Sequence, residues 1–270
     1  YKDYLLKELD LLQHNLPGKL DLNHLHWGGG TPTVLTPEDL GQLMRGVGDV
    51  FSIQKDAELA IECDPRVLSD EMIAEIGALG FTRASFGVQE FDDRVQKAIN
   101  RIQPVEMVEG ATRKLRASGV KSVNFDLIYG LPHQTVDSLE RTIAHVARIA
   151  PDRIALFGYA HVPWFAKNQR LIDEAVLPDG KERAAQAKAA AEALMDAGYV
   201  AIGLDHFAMP EDDLAKAAKA GQLHRNFQGY TTDACETMLG LGVTSIGRTP
   251  NGFYQNRSDV RGWERDIDAG

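Results

Sequence analysis

Cysteine is almost missing from this chain: Cys63 and Cys235 are the only two in 270 residues. So far apart they give no disulfide framework and no zinc or cluster spacing, which points to a reducing compartment. The start shows no charged-then-apolar leader pattern, so the cytoplasm is the expected location. No run of about 18 apolar residues occurs, and neither a membrane span nor a membrane partner is expected. Positive charge is also short. A formal net charge of −10 argues against nucleic acid, although a few clustered arginines can still hold an acidic ligand locally. There is no Ser/His/Asp triad motif, no phosphate-binding P-loop and no GxGxxG fingerprint.

What is present is ordinary globular composition, 44% hydrophobic and 25% charged, at a length that suits one large α/β domain. Leu5, Leu6, Leu9 and Leu12 share one face of a first helix, with Lys2, Lys7 and Glu8 off it. Leu20 to Trp27 reads as the first strand. Thr36-Pro37 caps a helix to about Phe51, and Leu59 to Pro65 is the second strand. Helices closed by Gly80 and Gly119 alternate with strands at Ala84–Gln89 and Val123–Ile128. Thr135 caps a helix to Ile149, and Ile154–Tyr159 is the fifth strand. An Ala-rich helix over Lys181–Met195 precedes a sixth at Val200–Leu204. Leu239 to Gly247 reads as a final strand or turn against the barrel, and Arg261 to Gly270 as a charged stretch without a closing element.

From Trp27 to Glu62, Gln89, Asp126 and Ala160 the steps are 35, 27, 37 and 34 residues, each about one strand-plus-helix unit. The polar residues of interest therefore fall at strand C-terminal ends, the working face of a β/α barrel. A doubly wound open sheet has a similar period. The expected fold is α/β: a partial six-unit (β/α)6 TIM-like barrel with parallel strands and outer helices.

Several residues in this frame are able to carry chemistry. Trp27-Gly28-Gly29-Gly30-Thr31-Pro32 sheds every β-carbon at a strand end, so it is either a tight turn or a backbone cradle for a polar ligand. Glu62, between Ile61 and Cys63, is costly there unless it is paired or meets a ligand's hydroxyl or ammonium group. Gln89 offers donor and acceptor, or caps locally. Asp126 sits in an apolar strand, where a side chain facing a lumen suits it. Arg101 is either an exposed arginine or a partner for Glu62, Asp126 or a ligand carboxylate. His161, His206 and His224 lack metal-ligand spacing, and Cys63 reads as a buried structural thiol. The stretch His224-Arg225-Asn226-Phe227-Gln228-Gly229-Tyr230-Thr231-Thr232 is dense in hydrogen-bonding groups around two aromatics, as binding loops are.

Taken together, these motifs resemble a known family. Leu25-His26-Trp27-Gly28-Gly29-Gly30-Thr31-Pro32-Thr33 is similar to the glycine motif of radical S-adenosylmethionine (SAM) enzymes. Ile61 to Pro65, Gly87 to Phe91, Asn124 to Pro132 and Gln134-Thr135 resemble, in order, the porphyrin-pathway branch of that superfamily. Asp205 to Ala208 and Leu223 to Thr232 resemble the oxygen-independent coproporphyrinogen III oxidases within it. The resemblance implies an oxidoreductase of haem biosynthesis that turns two propionates of coproporphyrinogen III into vinyl groups. It also implies a [4Fe–4S] cluster, two SAM molecules, an electron donor for the cluster, and a monomer. By motif match, Gly29, Glu62 and Ile246 would contact the cluster-bound SAM. Gly30, Thr31, Gln89, Arg101, Asp126 and Ala160 would contact the second.

One departure is large: the family's CxxxCxxC cluster loop does not occur in this sequence. With a helix already under way at Tyr1, the expectation is a fragment lacking that loop and a C-terminal domain, inactive by itself. Residues 1–210 would be the barrel and 211–270 a flanking extension. Two other readings are a haem-binding chaperone of the same superfamily and an unrelated barrel that binds a sugar phosphate.

Overall fold

The computed structural model describes residues 1–226 and 229–270. Its main body is a seven-stranded sheet in the order β1-β2-β3-β4-β5-β7-β6. Helix α1 (Lys2–Asn15) leads into β1 (Leu20–Trp27), then α2 (Pro37–Val50), β2 (Phe51–Cys63), α3 (Asp70–Ala78) and β3 (Arg83–Gln89). The chain continues through α4 (Asp93–Ala98), α5 (Val105–Ala117), β4 (Ser122–Tyr129), α6 (Val136–Ile149) and β5 (Arg153–Gly158). Polar side chains cap α2, α3 and α6, at Thr36 and Thr135 as the sequence predicts. Thr36 accepts from the Asp39 N–H, Ser69 from Met72, and Thr135 forms a capping box with Ser138.

β1 to β5 are parallel neighbours. Parallel order ends there. After α7 (Gly180–Asp196), β6 (Val200–Gly203) turns through Leu204 and Asp205 straight into β7 (His206–Ala208), which pairs antiparallel with both β5 and β6. A two-residue connection is too short for a crossover, so the sixth unit is a hairpin and the expected all-parallel sheet is corrected. Leu204 takes a positive φ of 43° to make that turn. The second strand is also longer than Leu59–Pro65, because Ser52 and Ile53 pair with Asp21 and Leu22 before a register shift.

Period-two alternation divides the sheet's faces. Ile61, Phe86, Val88, Phe125, Leu127 and Ile154 point to the helices and form one core with Leu115, Leu139 and Val146, all essentially inaccessible. Removing each such side chain from water contributes roughly 1.5–3 kcal/mol. The alternate residues Glu58, Glu62, Arg83, Ser85, Asn124, Asp126 and Arg153 face the other way, so that face is polar. At its lower end Glu58 bridges Arg83 (2.9 Å) and Arg153 (3.5 Å), and Arg153 reaches Asp212 (2.8 Å). Burial alone raises the Glu58 carboxyl, but the two guanidiniums hold it below its ordinary value.

The rest of the chain docks on the β1 edge and the β6 side. Helix α8 (Asp213–Ala220) precedes a hairpin of β8 (His224–Asn226) and β9 (Gly229–Thr231). A second hairpin pairs β10 (Ile246–Thr249) with β11 (Gly252–Gln255). Leu239 and Leu241 pack with Leu9, Val47, Val50 and Phe51, so that segment covers α1 and α2 without being a strand before Ile246. The final residues are not an open charged stretch but helix α9 (Val260–Ala269), capped by Asp259. Its Trp263, only 2% exposed, lies 5.0 Å from the Tyr1 ring and 5.9 Å from Tyr4. Glu8, expected on the solvent side, is buried and accepts from the Gly242 N–H and the Asn256 amide, each at 2.7 Å. Among the described residues no helix is long and apolar enough to cross a membrane.

Candidate functional site

The polar face opens at the C-terminal ends of β1 to β4 into a cavity of about 220 Å³. Gly30, Thr31, Glu62, Gln89, Arg101 and Asp126 line it, together with Cys63, Asp64, Ser85 and Gly87. Six of the nine sequence-predicted contacts therefore converge on one space: Gly30 and Thr31 from the turn after β1, Glu62, Gln89 and Asp126 from β2, β3 and β4, and Arg101 from the segment after α4.

The three glycines do three different jobs. A β-carbon on Gly28 would lie 2.6 Å from both Glu62 Oε1 and His26 Nε2, so this glycine makes room for that pair. Gly29 has open space around it but adopts φ 81°, a left-handed conformation that glycine takes without strain. Gly30 meets nothing within 4 Å and leaves its backbone open toward the cavity.

Glu62 is paired from one side only: His26 Nε2 stands 3.2 Å from Oε1. The carboxylate keeps 39% of its side-chain exposure, so it is available to a ligand rather than locked in a salt bridge. Asp126 accepts from the Asn124 amide at 2.8 Å. Burial pushes its carboxyl up to about 6, and the nearby Glu62 charge adds to the rise.

Gln89 ends β3 with φ 67°, an unusual conformation for a non-glycine residue, at a slip in the β3–β4 register. The backbone there is held by a buried network. Arg101 Nε donates to the Gly87 carbonyl at 3.0 Å, and the Gln103 amide donates to the Gly87 and Val88 carbonyls. Glu90 accepts from the Phe91 N–H (2.7 Å), the Gln134 amide (2.6 Å) and the Thr142 hydroxyl. Gln89 Oε1 itself is buried with no hydrogen-bond partner among the described residues. A strained residue whose acceptor is left over inside a cavity is built to meet a donor from outside the chain.

Arg101 pairs neither with Glu62 nor with Asp126, as sequence reasoning allowed. Its nearest carboxylate is Asp64, at 3.8 Å, and Asp64 is already claimed by Arg66 at 2.6 Å. Arg101 is thus a half-buried cation with donors to spare, and burial lowers its pKa. Asp64, Ser85, Gly87 and His26 were missed as site residues. The sequence signal was period-two spacing along the strands: Asp64, Gly87 and His26 stand two residues from Glu62, Gln89 and Gly28, and Ser85 four from Gln89.

Gly29, Ala160 and Ile246 do not line the cavity. Ala160 follows β5, its carbonyl accepting from the Gln169 amide at 3.1 Å, and Ile246 opens the separate β10–β11 hairpin. His161 lies between Tyr159 and Glu174, each 3.1 Å away, while His206 stacks edge-on against Phe157 and Tyr230. His224 is exposed on β8. Phe227 and Gln228 of the 224–232 stretch lie outside the described residues.

Residues 3–146 match the model of the radical SAM superfamily. The chain belongs to that superfamily. It is 46% identical over 270 residues to an oxygen-independent coproporphyrinogen III oxidase of Cereibacter sphaeroides, covering 100% of this chain and 60% of the relative. To the enzyme of that name from Helicobacter pylori it is 43% identical, covering 59% of the relative. Among solved structures it superposes on coproporphyrinogen III oxidase (HemN) from Escherichia coli with a TM-score of 0.96 at 39% identity, covering all of this chain and 62% of that one. The curved, mostly parallel sheet with its outer helices is therefore a radical SAM half-barrel. The chain spans about 60% of the length of the curated relatives it matches.

The superfamily implies SAM and a [4Fe–4S] cluster. The cavity fits SAM in its donor set: carboxylates for an ammonium and ribose hydroxyls, a guanidinium for a carboxylate, an orphaned amide oxygen and an open glycine backbone. The cluster is different. Among the described residues no three His, Cys, Asp or Glu side chains converge to hold a metal. Cys63 is a buried thiol that desolvation pushes up to about 12. The described residues do not compose a cluster site.

Proposed function

We propose that this chain is the SAM-binding half-barrel of an oxygen-independent coproporphyrinogen III oxidase. The parent enzyme oxidatively decarboxylates two propionates of coproporphyrinogen III to vinyl groups, giving protoporphyrinogen IX in haem biosynthesis. The observation that carries this reading is the convergence of Glu62, Gln89, Arg101 and Asp126 on one cavity beside Gly30. The likeness along the whole chain to relatives of that name supports the choice of reaction.

SAM, when bound with its cluster, supplies the hydrogen-atom acceptor for the propionate β-carbon; CO2 and one electron then leave the substrate. The chain's own residues bind and orient. Glu62, its inner oxygen set by His26, accepts from the ammonium or a ribose hydroxyl of the first SAM, with Gly29 and Ile246 as further contacts. Arg101 holds the carboxylate of a second SAM, while Gln89 Oε1 and Asp126 accept from its donors, with Gly30, Thr31 and Ala160 alongside. Residues 1–210 are the half-barrel and 211–270 the flanking extension. The parent works in the cytoplasm as a monomer and takes electrons from a separate donor.

Glu62→Ala in the reconstituted full-length protein tests this. It should abolish SAM cleavage to 5′-deoxyadenosine and weaken SAM binding in calorimetry. An unchanged 5′-deoxyadenosine yield would overturn the assignment of Glu62.

A further inference from the structure

One surface remains unexplained by the SAM cavity. The segment after β5 holds three large apolar side chains almost wholly in water: Trp164 is 76% exposed, Phe165 86% and Leu171 91%. Exposed apolar groups concentrated this way mark a contact surface.

The segment is not slack. The Gln169 side chain clips it, accepting from the Val162 N–H at 2.6 Å and donating to the Ala160 carbonyl at 3.1 Å. The chain Tyr159–His161–Glu174 ties its two ends together, with both contacts at 3.1 Å. Arg170 Nε donates to the Pro163 carbonyl at 3.0 Å, which folds the loop back on itself. So the aromatics are displayed by a braced loop.

Charge narrows the occupant. The chain as a whole carries −10, yet Pro163 to Leu171 holds Lys167 and Arg170 and no acidic residue. Among the described residues neither the Lys167 ammonium nor the terminal nitrogens of Arg170 has a partner. An apolar surface studded with unpaired cations suits a large apolar body edged with carboxylates. The loop leaves the sheet at the C-terminal end of β5, the same end at which the SAM cavity opens on β1 to β4.

We propose that this loop is the docking surface for the tetrapyrrole substrate, Trp164, Phe165 and Leu171 taking the macrocycle and Lys167 and Arg170 its propionates. This rests on the reaction proposed above. It assigns substrate contacts to residues that do not line the SAM cavity.

The test uses the full-length protein and coproporphyrin III, the stable oxidised macrocycle, as the probe, with binding read by fluorescence titration. Lys167→Glu/Arg170→Glu should weaken porphyrin binding about tenfold, the size of losing two solvent-exposed ion pairs. SAM affinity should not move, and Lys167→Glu alone, which breaks no brace of the loop, should weaken porphyrin binding with the melting temperature unchanged. Trp164→Ala/Phe165→Ala should weaken porphyrin binding similarly. Unchanged porphyrin affinity in the charge-reversal variant overturns the proposal. So does an aromatic variant that melts earlier while binding porphyrin normally, since another protein segment then covers the patch. A wild-type protein that binds SAM but no porphyrin defeats the reaction assignment itself, before any variant is compared.

Discussion

Asp126→Asn separates the cost of the cavity from its use. In the folded chain burial pushes this carboxyl from 3.8 up to about 6, with Glu62 adding repulsion and Asn124 giving back one hydrogen bond. The folded state therefore holds the proton more tightly than the unfolded chain. Between pH 4 and 6 the folded protein binds more protons, so this group's effect on stability worsens as pH rises through that window and is fully felt above it. The difference between 3.8 and about 6 corresponds to about 3 kcal/mol at pH 7.5, an upper bound for a group that water still partly reaches. Asparagine keeps the shape and can still accept from Asn124, but it never ionises. The variant should be more stable than wild type in urea unfolding at pH 7.5 by up to about 3 kcal/mol, and equal to it near pH 4. It should also bind SAM more weakly, because a charged acceptor is gone. A stability gain of the same size at both pH values, or none at pH 7.5, would refute the reasoning.

Gly28→Ala should displace Glu62 and His26, since the new β-carbon would stand 2.6 Å from both; SAM affinity in calorimetry should fall about tenfold, with about 1–3 kcal/mol lost in unfolding. Arg101→Met keeps the length but removes the half-buried cation. SAM binding should weaken by about 1.5–3 kcal/mol, while a SAM analogue lacking the carboxylate binds wild type and variant alike. Trp263→Ala empties the seam between α1 and α9 and should cost about 3–5 kcal/mol in urea unfolding with SAM affinity unchanged, because that seam lies away from the cavity.

The helices and parallel strands were legible because capping residues and period-two runs are local signals. Thr36, Ser69 and Thr135 sit where a helix needs an acceptor, and Phe86, Val88, Phe125 and Leu127 alternate as a sheet with one covered face must. The antiparallel β6–β7 hairpin was hidden by its brevity: the sixth strand reads as Val200 to Leu204 alone, and the three-residue β7 folds back on it only because Leu204 takes a positive φ. Helix α9 was overlooked for the opposite reason. Its charged residues outweighed Val260, Trp263 and Ile267, although that spacing and the Asp259 cap were present. In the site, strand-end spacing located Glu62, Gln89 and Asp126. The Arg101–Asp64 approach and the Glu62–His26 pair depend on how strand ends lean toward one another, which no one-dimensional pattern carries.

The charge balance of the cavity also bears on the sugar-phosphate alternative. Glu62, Asp64 and Asp126 bring three carboxylates to its wall, and Arg101 is the cation that lines it. Arg66 neutralises Asp64 from outside, which leaves Glu62 and Asp126 facing Arg101 across the opening. A phosphate dianion would meet two acids for one guanidinium and would have to keep Asp126 protonated well above its already raised pKa. SAM carries a sulfonium and an ammonium against one carboxylate, a net positive charge with its anionic end separate from its cationic ones. Arg101 can take the one and Glu62 the other without either acid being neutralised first. The charge pattern therefore favours a cationic ligand with one anionic arm over a phosphorylated one, and competition shows it directly: inorganic phosphate at millimolar concentration should leave SAM binding unchanged, and displacement of SAM by phosphate would return the sugar-phosphate reading to first place.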